Sequence, residues 1–587
     1  MDRPAVVVSN RGPLSFRRGD DGALEAKRGA GGLVSGIGPL VAGTDTLWVA
    51  AAMSDGDREA ATTGVVDAEG FRTRLLALDP EAYRLAYDVV SNQILWFVHH
   101  GLYDLPRQPA FGADLRDAWR AYRDLNRAFA DAVADVAPQG AAVLVQDYHL
   151  GLLGLGLAER RPDLDAVHFS HTPFATPSWL RVLPDHVAAE VLSGLAAHRA
   201  CGFHSQRWAG DFVDCCRDVL ALTPRTFVSP LPADADDVLG AAHTPACDAA
   251  LAEIDGEVGD RLVVARVDRI ELSKNLLRGF LAFDDLLDRR PAWRERVVFV
   301  ASVYPSRTGV PAYIDYQRDV EALVARINDR WGTPGWTPIL YDTRDDYPRS
   351  VAVLRRADVL LVNPIRDGLN LVAKEGAIVN ERDAVLCLSR EAGVWDEVGE
   401  AAVPVPPFDV AGTADALDQA LRMPAGERAP RAARLRELSV ARRPSDWLAD
   451  QLAAAGCSPG PAGAARPPPA SRRRKASTAG GPSSTRSARS SRSVGASLLA
   501  TATRSVCTPC CARRSSASKA GRSPRSSPTK HTASRSATSA SRAVPLSAAI
   551  GGCSSIDIRA PRTTSPDRAA CCLAHAATSG AISGRVR

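Results

Sequence analysis

Leu262-Val263-Val264-Ala265-Arg266-Val267-Asp268-Arg269-Ile270-Glu271-Leu272-Ser273-Lys274-Asn275 is the stretch on which the fold reading turns. Its opening five residues form a mostly apolar run, the pattern of a parallel strand covered on both faces. Residues 276–289 follow with apolar positions at helical spacing, and residues 297–302 form a second run of the same kind. Strand, helix and strand in that order make the repeating unit of a parallel α/β sheet.

The same alternation extends in both directions. Strands are expected at residues 4–9, 141–147, 166–170, 262–266, 297–302, 338–341, 358–363 and 384–388. Amphipathic helices are expected at residues 114–136, 276–289, 313–331 and 369–380. A domain usually takes roughly 100–200 residues, so a body of this length holds two such sheets. Two prolines in Phe227-Val-Ser-Pro-Leu-Pro-Ala233 mark a joint. The reading therefore divides the chain into a first Rossmann-like domain at 1–229, a second at 230–440, and a helix at 441–456 returning to the body. A low-complexity tail occupies 457–587.

Charge separates the tail from the rest. Ser458–Arg587 contains 22 of the 72 Lys and Arg residues, two of the 67 acids and no aromatic residue. The remainder carries 50 bases against 65 acids, so the part able to fold is acidic. A basic nucleic-acid or membrane-binding surface is not expected on it. The tail reads either as a disordered basic extension or as a wrong reading frame. The joint loss of acids and aromatics favours the second. Its Cys507-Thr-Pro-Cys510-Cys511 cluster lacks a partner pair and is not read as a metal site. Cys201, Cys215, Cys216, Cys247 and Cys387 fall at no metal-ligand spacing and read as reduced thiols. Neither a signal segment nor a membrane span is evident, and a soluble, cytoplasmic protein is expected.

The chemistry-bearing residues lie after strands. Ser9-Asn10-Arg11 ends the first strand, and Gly29-Ala-Gly31-Gly32-Leu-Val-Ser-Gly36 follows. A glycine-rich turn opening a helix admits an anion to backbone N–H groups, though a tight loop explains the glycines equally well. Tyr87-Asp-Val-Val-Ser-Asn92-Gln-Ile-Leu-Trp96 comes next. Asp147 in Gln146-Asp147-Tyr148-His149 and His171 in His171-Thr-Pro-Phe each follow a strand, where parallel sheets bind ligands. Arg269 and Lys274, five apart at a helix start, can face one diphosphate. Arg307 follows a further strand. Arg366-Asp367-Gly368-Leu369-Asn370-Leu371-Val372-Ala-Lys374-Glu375 runs from a strand into a helix, whose N–H groups suit diphosphate oxygens.

In order and spacing these motifs resemble the trehalose-6-phosphate synthases, glycosyltransferases with two Rossmann-like domains facing a central cleft (the GT-B fold). The resemblance covers residues 6–375 and extends to about residue 456. It implies retaining transfer of glucose from UDP-glucose or GDP-glucose to glucose 6-phosphate, with no metal or other cofactor. The leaving phosphate would take the acceptor's proton on the same face. By resemblance, Gly32, Arg269 and Lys274 meet the donor diphosphate. Asp367 and the backbone of Gly368, Leu369, Asn370, Leu371 and Val372 hold the donor, with His171 on its sugar and Glu375 on its ribose. Arg11, Tyr87, Trp96 and Arg307 grip the acceptor phosphate, and Asp147 meets sugar hydroxyls at the reaction centre.

The chain departs from the family in three places. Leu47-Trp48-Val49-Ala50-Ala51 keeps one Trp where a second aromatic is often found. Glu271-Leu272 stands for a common Asp-Tyr, and Asn275 for a common Gly. Two alternatives stay open at this level: a pseudoglycosyltransferase joining a nucleotide-activated cyclitol to an aminocyclitol phosphate, and a catalytically silent sugar-phosphate sensor. The UDP or GDP preference and the oligomeric state are not legible.

Overall fold

A computed structural model describes residues 3–19, 22–29 and 32–457, with Gly32 and Ser35 described by their backbone alone. The readings made for the tail and its cysteine cluster, and for Ala30 and Gly31 of the glycine-rich turn, lie outside the described residues.

Two sheets organise the chain. The first has eight strands in the spatial order Thr226–Val228, Ala200–Phe203, Asp165–Ser170, Ala142–Gln146, Ala5–Val8, Leu47–Ala51, Phe71–Leu76 and Val65–Ala68. Neighbours pair in parallel except the last two, which are antiparallel. The second sheet is wholly parallel, in the order Ile339–Asp342, Val297–Pro305, Leu262–Ile270, Val359–Val362, Val385–Ser389 and Val403–Val405. A small hairpin, Leu14–Arg18 with Leu24–Arg28, stands apart.

The central strands bury both faces, as their unbroken apolar runs require. Every residue of Ala5–Val8 and of Ala142–Gln146 is buried, with helices such as Asp114–Val136 and Leu276–Arg289 packed alongside. Burying each large apolar side chain contributes about 1.5–3 kcal/mol, which offsets the entropy lost on ordering it.

Chain order changes sheets between Val228 and Leu262, and the last helix among the described residues crosses back. In Pro444–Ala454, Trp447 is buried edge-on against Phe169 at 5.0 Å and His171 at 5.6 Å, both of the first lobe. Gln451 accepts from the Gln146 amide at 2.9 Å. The C-terminal helix therefore packs behind the first lobe's ligand-facing strand ends.

Two local expectations are corrected. The helix read over 369–380 begins only at Val372, because Asn370 sits at φ 87°, a left-handed conformation no helix accepts. Its side chain instead accepts from the Ala373 N–H at 3.2 Å. Arg269 and Lys274 do not share a helix start. Arg269 ends the strand Leu262–Ile270, Lys274 closes a short turn, and the helix begins at Leu276. Asn275, between that turn and the helix, has φ 60°, a conformation that glycine adopts freely and Asn tolerates.

Candidate active site

Both sheets turn their strand carboxyl ends toward one another, and the site is built there. Ser9, Asn10 and Arg11 follow Ala5–Val8; Asp147 follows Ala142–Gln146; His171 follows Asp165–Ser170. From the second lobe come Arg269, Arg307 after Val297–Pro305, and Asp367 in the loop after Val359–Val362. Parallel strands place these six ends on one side of each sheet, the usual location of ligands.

Arg307 crosses between lobes. Its guanidinium lies 3.8 Å from the Trp96 ring centroid and donates to Asn92 Oδ1 at 3.0 Å, both in the first lobe. Within its own lobe it donates to Glu271 Oε1 at 3.0 Å and to the Tyr313 hydroxyl at 2.8 Å. Asn92 also accepts from the Tyr148 hydroxyl at 3.0 Å. Tyr87 and Asn92 belong to a π-helix, Leu85–Leu95, a rare element that is frequent at functional sites. The buried N–H groups of Asn92 Nδ2 and Trp96 Nε1 have no hydrogen-bond partner beside this cation. Tyr87 stacks between Tyr83 and His149, at 5.5 and 5.4 Å. Arg11 is exposed, makes no ion pair among the described residues, and lies within electrostatic reach of Tyr83.

The remaining cations also belong to the second lobe. Lys274 Nζ donates to Asp367 Oδ2 at 2.6 Å and lies 3.9 Å from Asp268. Burial works against the ammonium charge, but Asp367 and Asp268 outweigh it and raise the Lys274 pKa. Conversely, burial opposes ionisation of Asp367, and Lys274 overcomes that to hold the carboxyl below its ordinary value. Arg269 keeps a solvent-facing fork, with Nη1 3.1 Å from Glu271.

Asp147 occupies the floor between these groups. Its φ of 73° is rare for a residue with a side chain, a form of strain found at functional sites. Burial pushes its carboxyl up to about 6, although the Tyr148 and His171 amides, Arg307 and Arg269 all favour the charged form. The His171 N–H donates to Asp147 Oδ1 at 3.1 Å, and its ring meets Gln146 Oε1 at 3.1 Å. Burial keeps that imidazole neutral, down to about 4. Gly368 backs directly onto the His171 carbonyl, so a Cβ there would overlap it.

Glu375 is half-buried, and among the described residues its carboxylate has no hydrogen-bond or ion-pair partner. Burial, and then Asp237, raise it to about 7. Leu369 is buried, Leu371 and Val372 are half-buried, and Gly32 begins the helix Gly32–Val41.

Of the residues expected from sequence, Asp147, His171, Arg269, Lys274, Arg307, Asp367, Tyr87 and Trp96 form one connected network. Arg11 stands at its rim. Asn92, Tyr148, Tyr313, His100 and Arg366 are further members that motif reading did not single out. His100 stacks on Trp96 at 3.9 Å. Arg366 locks the Asp367 loop to the first lobe through Asp211, at 3.1 Å, and the Phe174 carbonyl, at 3.0 Å. Asn92, Tyr148 and Arg366 stood inside quoted motifs, so their neighbours were the available signal. Among the described residues, no group of three or more His, Cys, Asp or Glu is placed to hold a metal ion. No described helix is long and apolar enough to cross a membrane.

Two parallel-sheet lobes with facing strand ends, and cations gathered between them, define the class of two-lobed GT-B glycosyltransferases. Residues 3–455 match Glycosyltransferase family 20, and the chain belongs to that family. It is 32% identical over 472 residues to a trehalose-6-phosphate synthase of Mycolicibacterium gilvum, covering 75% of this chain and 91% of that one. It is also 32% identical to a bifunctional trehalose-6-phosphate synthase/phosphatase of Thermoproteus tenax, over 76% of this chain. The match spans 62% of that archaeal relative and 54% of a plant relative from Arabidopsis thaliana. An E. coli structure bound with UDP-2-fluoro glucose superposes with a TM-score of 0.69, at 28% identity over 78% of this chain and all of the other. A Burkholderia xenovorans trehalose-phosphate synthase in complex with glucose-6-phosphate gives 0.66, at 27% identity over 77% and 100%.

Proposed function

We propose that the protein transfers glucose, with retention, from a nucleoside-diphosphate glucose to glucose 6-phosphate, yielding trehalose 6-phosphate. One observation carries this reading: Arg307 stacks on Trp96 across the lobes while Arg269 and Lys274 lie beside it at the end of the adjacent strand of its own sheet. Two anionic substrates need two cationic subsites in contact, and this arrangement supplies them.

Arg269 and Lys274 take the diphosphate. A departing nucleoside diphosphate gains charge in the transition state, and fixed cations at that point lower the barrier. Lys274 is paired with Asp367 in the free protein. A diphosphate draws the ammonium toward itself and leaves Asp367 free to accept sugar hydroxyls, helped by the backbone of Gly368, Leu369 and Asn370. Leu371 and Val372 border the donor, Glu375 accepts from the ribose, Gly32 faces the diphosphate, and His171 meets the transferred sugar. Arg307, Arg11, Tyr87 and Trp96 hold the acceptor phosphate, and Asp147 orients its reacting hydroxyl. Holding both substrates in this geometry converts a bimolecular reaction into an effectively unimolecular one. Arg and Lys supply the leaving-group charge, so no metal or cofactor is assigned.

The similarity to proteins crystallised with a UDP-glucose analogue and with glucose-6-phosphate supports these two substrate classes. No observation favours the cyclitol-coupling alternative. The connected charged network is not what a silent sensor would retain. The test is a matrix of UDP-glucose and GDP-glucose against glucose 6-phosphate, with mass detection. A disaccharide phosphate with at least one donor is expected; its absence with both contradicts the proposal.

A further inference from the structure

We propose that Glu271 is a positioning residue shared by both subsites, holding the donor arginine and the acceptor arginine side by side on one carboxylate oxygen. This rests on the transfer reaction proposed above and extends it to a residue that touches neither substrate.

The geometry is specific. Glu271 is fully buried, and its Oε1 lies 3.1 Å from Arg269 Nη1 and 3.0 Å from Arg307 Nη1. The Ser306 hydroxyl donates to the same oxygen at 3.0 Å. Its other oxygen, Oε2, is buried without any hydrogen-bond partner. A carboxylate kept only for the core would satisfy both oxygens, because an unpaired buried oxygen is unfavourable. Here one oxygen takes every donor. The two guanidinium nitrogens are thereby kept no more than about 6 Å apart, a distance at which like charges repel appreciably inside a protein.

The two arginines are held very differently. Arg307 is also fixed by Asn92, Tyr313 and the Trp96 ring. Among the described residues Arg269 has Glu271 as its one ion-pair partner, and its side chain is 41% exposed. Glu271 thus aims an otherwise loose cation from a well-fixed one, setting the separation between leaving group and acceptor phosphate. Removing its charge makes the pocket more positive, which does not weaken the binding of anions. What it loses is the placement of Arg269 at the moment the leaving phosphate gains charge.

Glu271→Gln keeps the shape and removes the charge; Glu271→Asp keeps the charge on a shorter arm. In steady-state kinetics with nucleotide-glucose and glucose 6-phosphate, Glu271→Gln is expected to lower kcat at least tenfold, with both KM values unchanged or reduced. Glu271→Asp is expected to recover most of the lost kcat, and thermal melting confirms that each variant is folded. A near-native kcat in a folded Glu271→Gln variant, or a loss carried by either KM, overturns the inference while leaving the transferase reading intact. A native protein that is inactive with both donors overturns the transferase reading, and this inference with it.

Discussion

Gly368 of the second lobe presses against the His171 carbonyl of the first, with no room for even a methyl group between them. This is the point where the Asp367 loop and the first lobe's strand end are pinned together. The Trp208 indole reinforces it by donating to the Gly368 carbonyl at 3.0 Å. Gly368→Ala should therefore push the loop away from the cleft. Overpacking of this kind typically costs about 1–3 kcal/mol of stability. Activity should fall at least tenfold while the protein stays folded, measured as kcat/KM beside a melting curve. Unaltered kcat/KM would mean that the close approach does not position the donor loop.

Arg269→Ala removes a cation whose fork is partly exposed at the strand end. Losing one preorganised charge partner of a developing anion typically lowers turnover by about 100- to 1000-fold. Such a loss in kcat, with a preserved melting temperature, is the expected outcome. A change of less than threefold would remove Arg269 from leaving-group stabilisation.

Glu375 supplies a pH signature. Its carboxyl, raised to about 7 by burial and Asp237, is largely neutral in mildly acidic solution. The ionised form is the better acceptor for ribose hydroxyls, so donor KM should fall as pH rises from 6 to 8. Glu375→Gln should flatten that dependence. The stability effect has the opposite sign: between its unfolded value and about 7, the folded state holds the extra proton, so stability falls as pH rises through this window. A native donor KM profile that survives in the Gln variant would place its origin elsewhere.

Buried histidines govern acid stability. His99, His100 and His149 are lowered to about 3 and His171 and His198 to about 4, in each case first by burial. His168 and His204 are held well below the ordinary value, again first by burial. A histidine with a depressed folded value contributes stability that is complete above about 6.5 and is lost as pH falls toward the folded value. Seven such groups outnumber the five raised carboxyls, Asp88, Asp147, Asp211, Asp268 and Glu375, which act in the opposite sense. The melting temperature should drop from pH 7 to pH 5, with proton uptake on unfolding. A flat profile would contradict this balance.

Much of the second lobe was legible because its strands are continuous apolar runs bounded by charged loops, as in Leu262–Ile270 and Val359–Val362. The missed strands have physical reasons. Phe71–Leu76 reads Phe-Arg-Thr-Arg-Leu-Leu, whose alternation resembles a surface segment, and Ala200–Phe203 contains a glycine and spans four residues. Motifs located the site's charged groups, since each follows a strand. Their partners were not legible: Lys274 and Asp367 pair 93 residues apart, and Arg307 meets Asn92 across 215. Glu271 showed only as a departure from a familiar pattern, because its role depends on two arginines that converge only in the folded chain.

The most direct test of the central claim follows the reaction by NMR, with nucleotide-glucose and glucose 6-phosphate as substrates. If the cleft joins a diphosphate subsite to a sugar-phosphate subsite, nucleoside diphosphate and an α,α-linked disaccharide phosphate should appear in equal amounts, with the donor's anomeric configuration retained. Donor hydrolysis without transfer, or a product with inverted configuration, would contradict it.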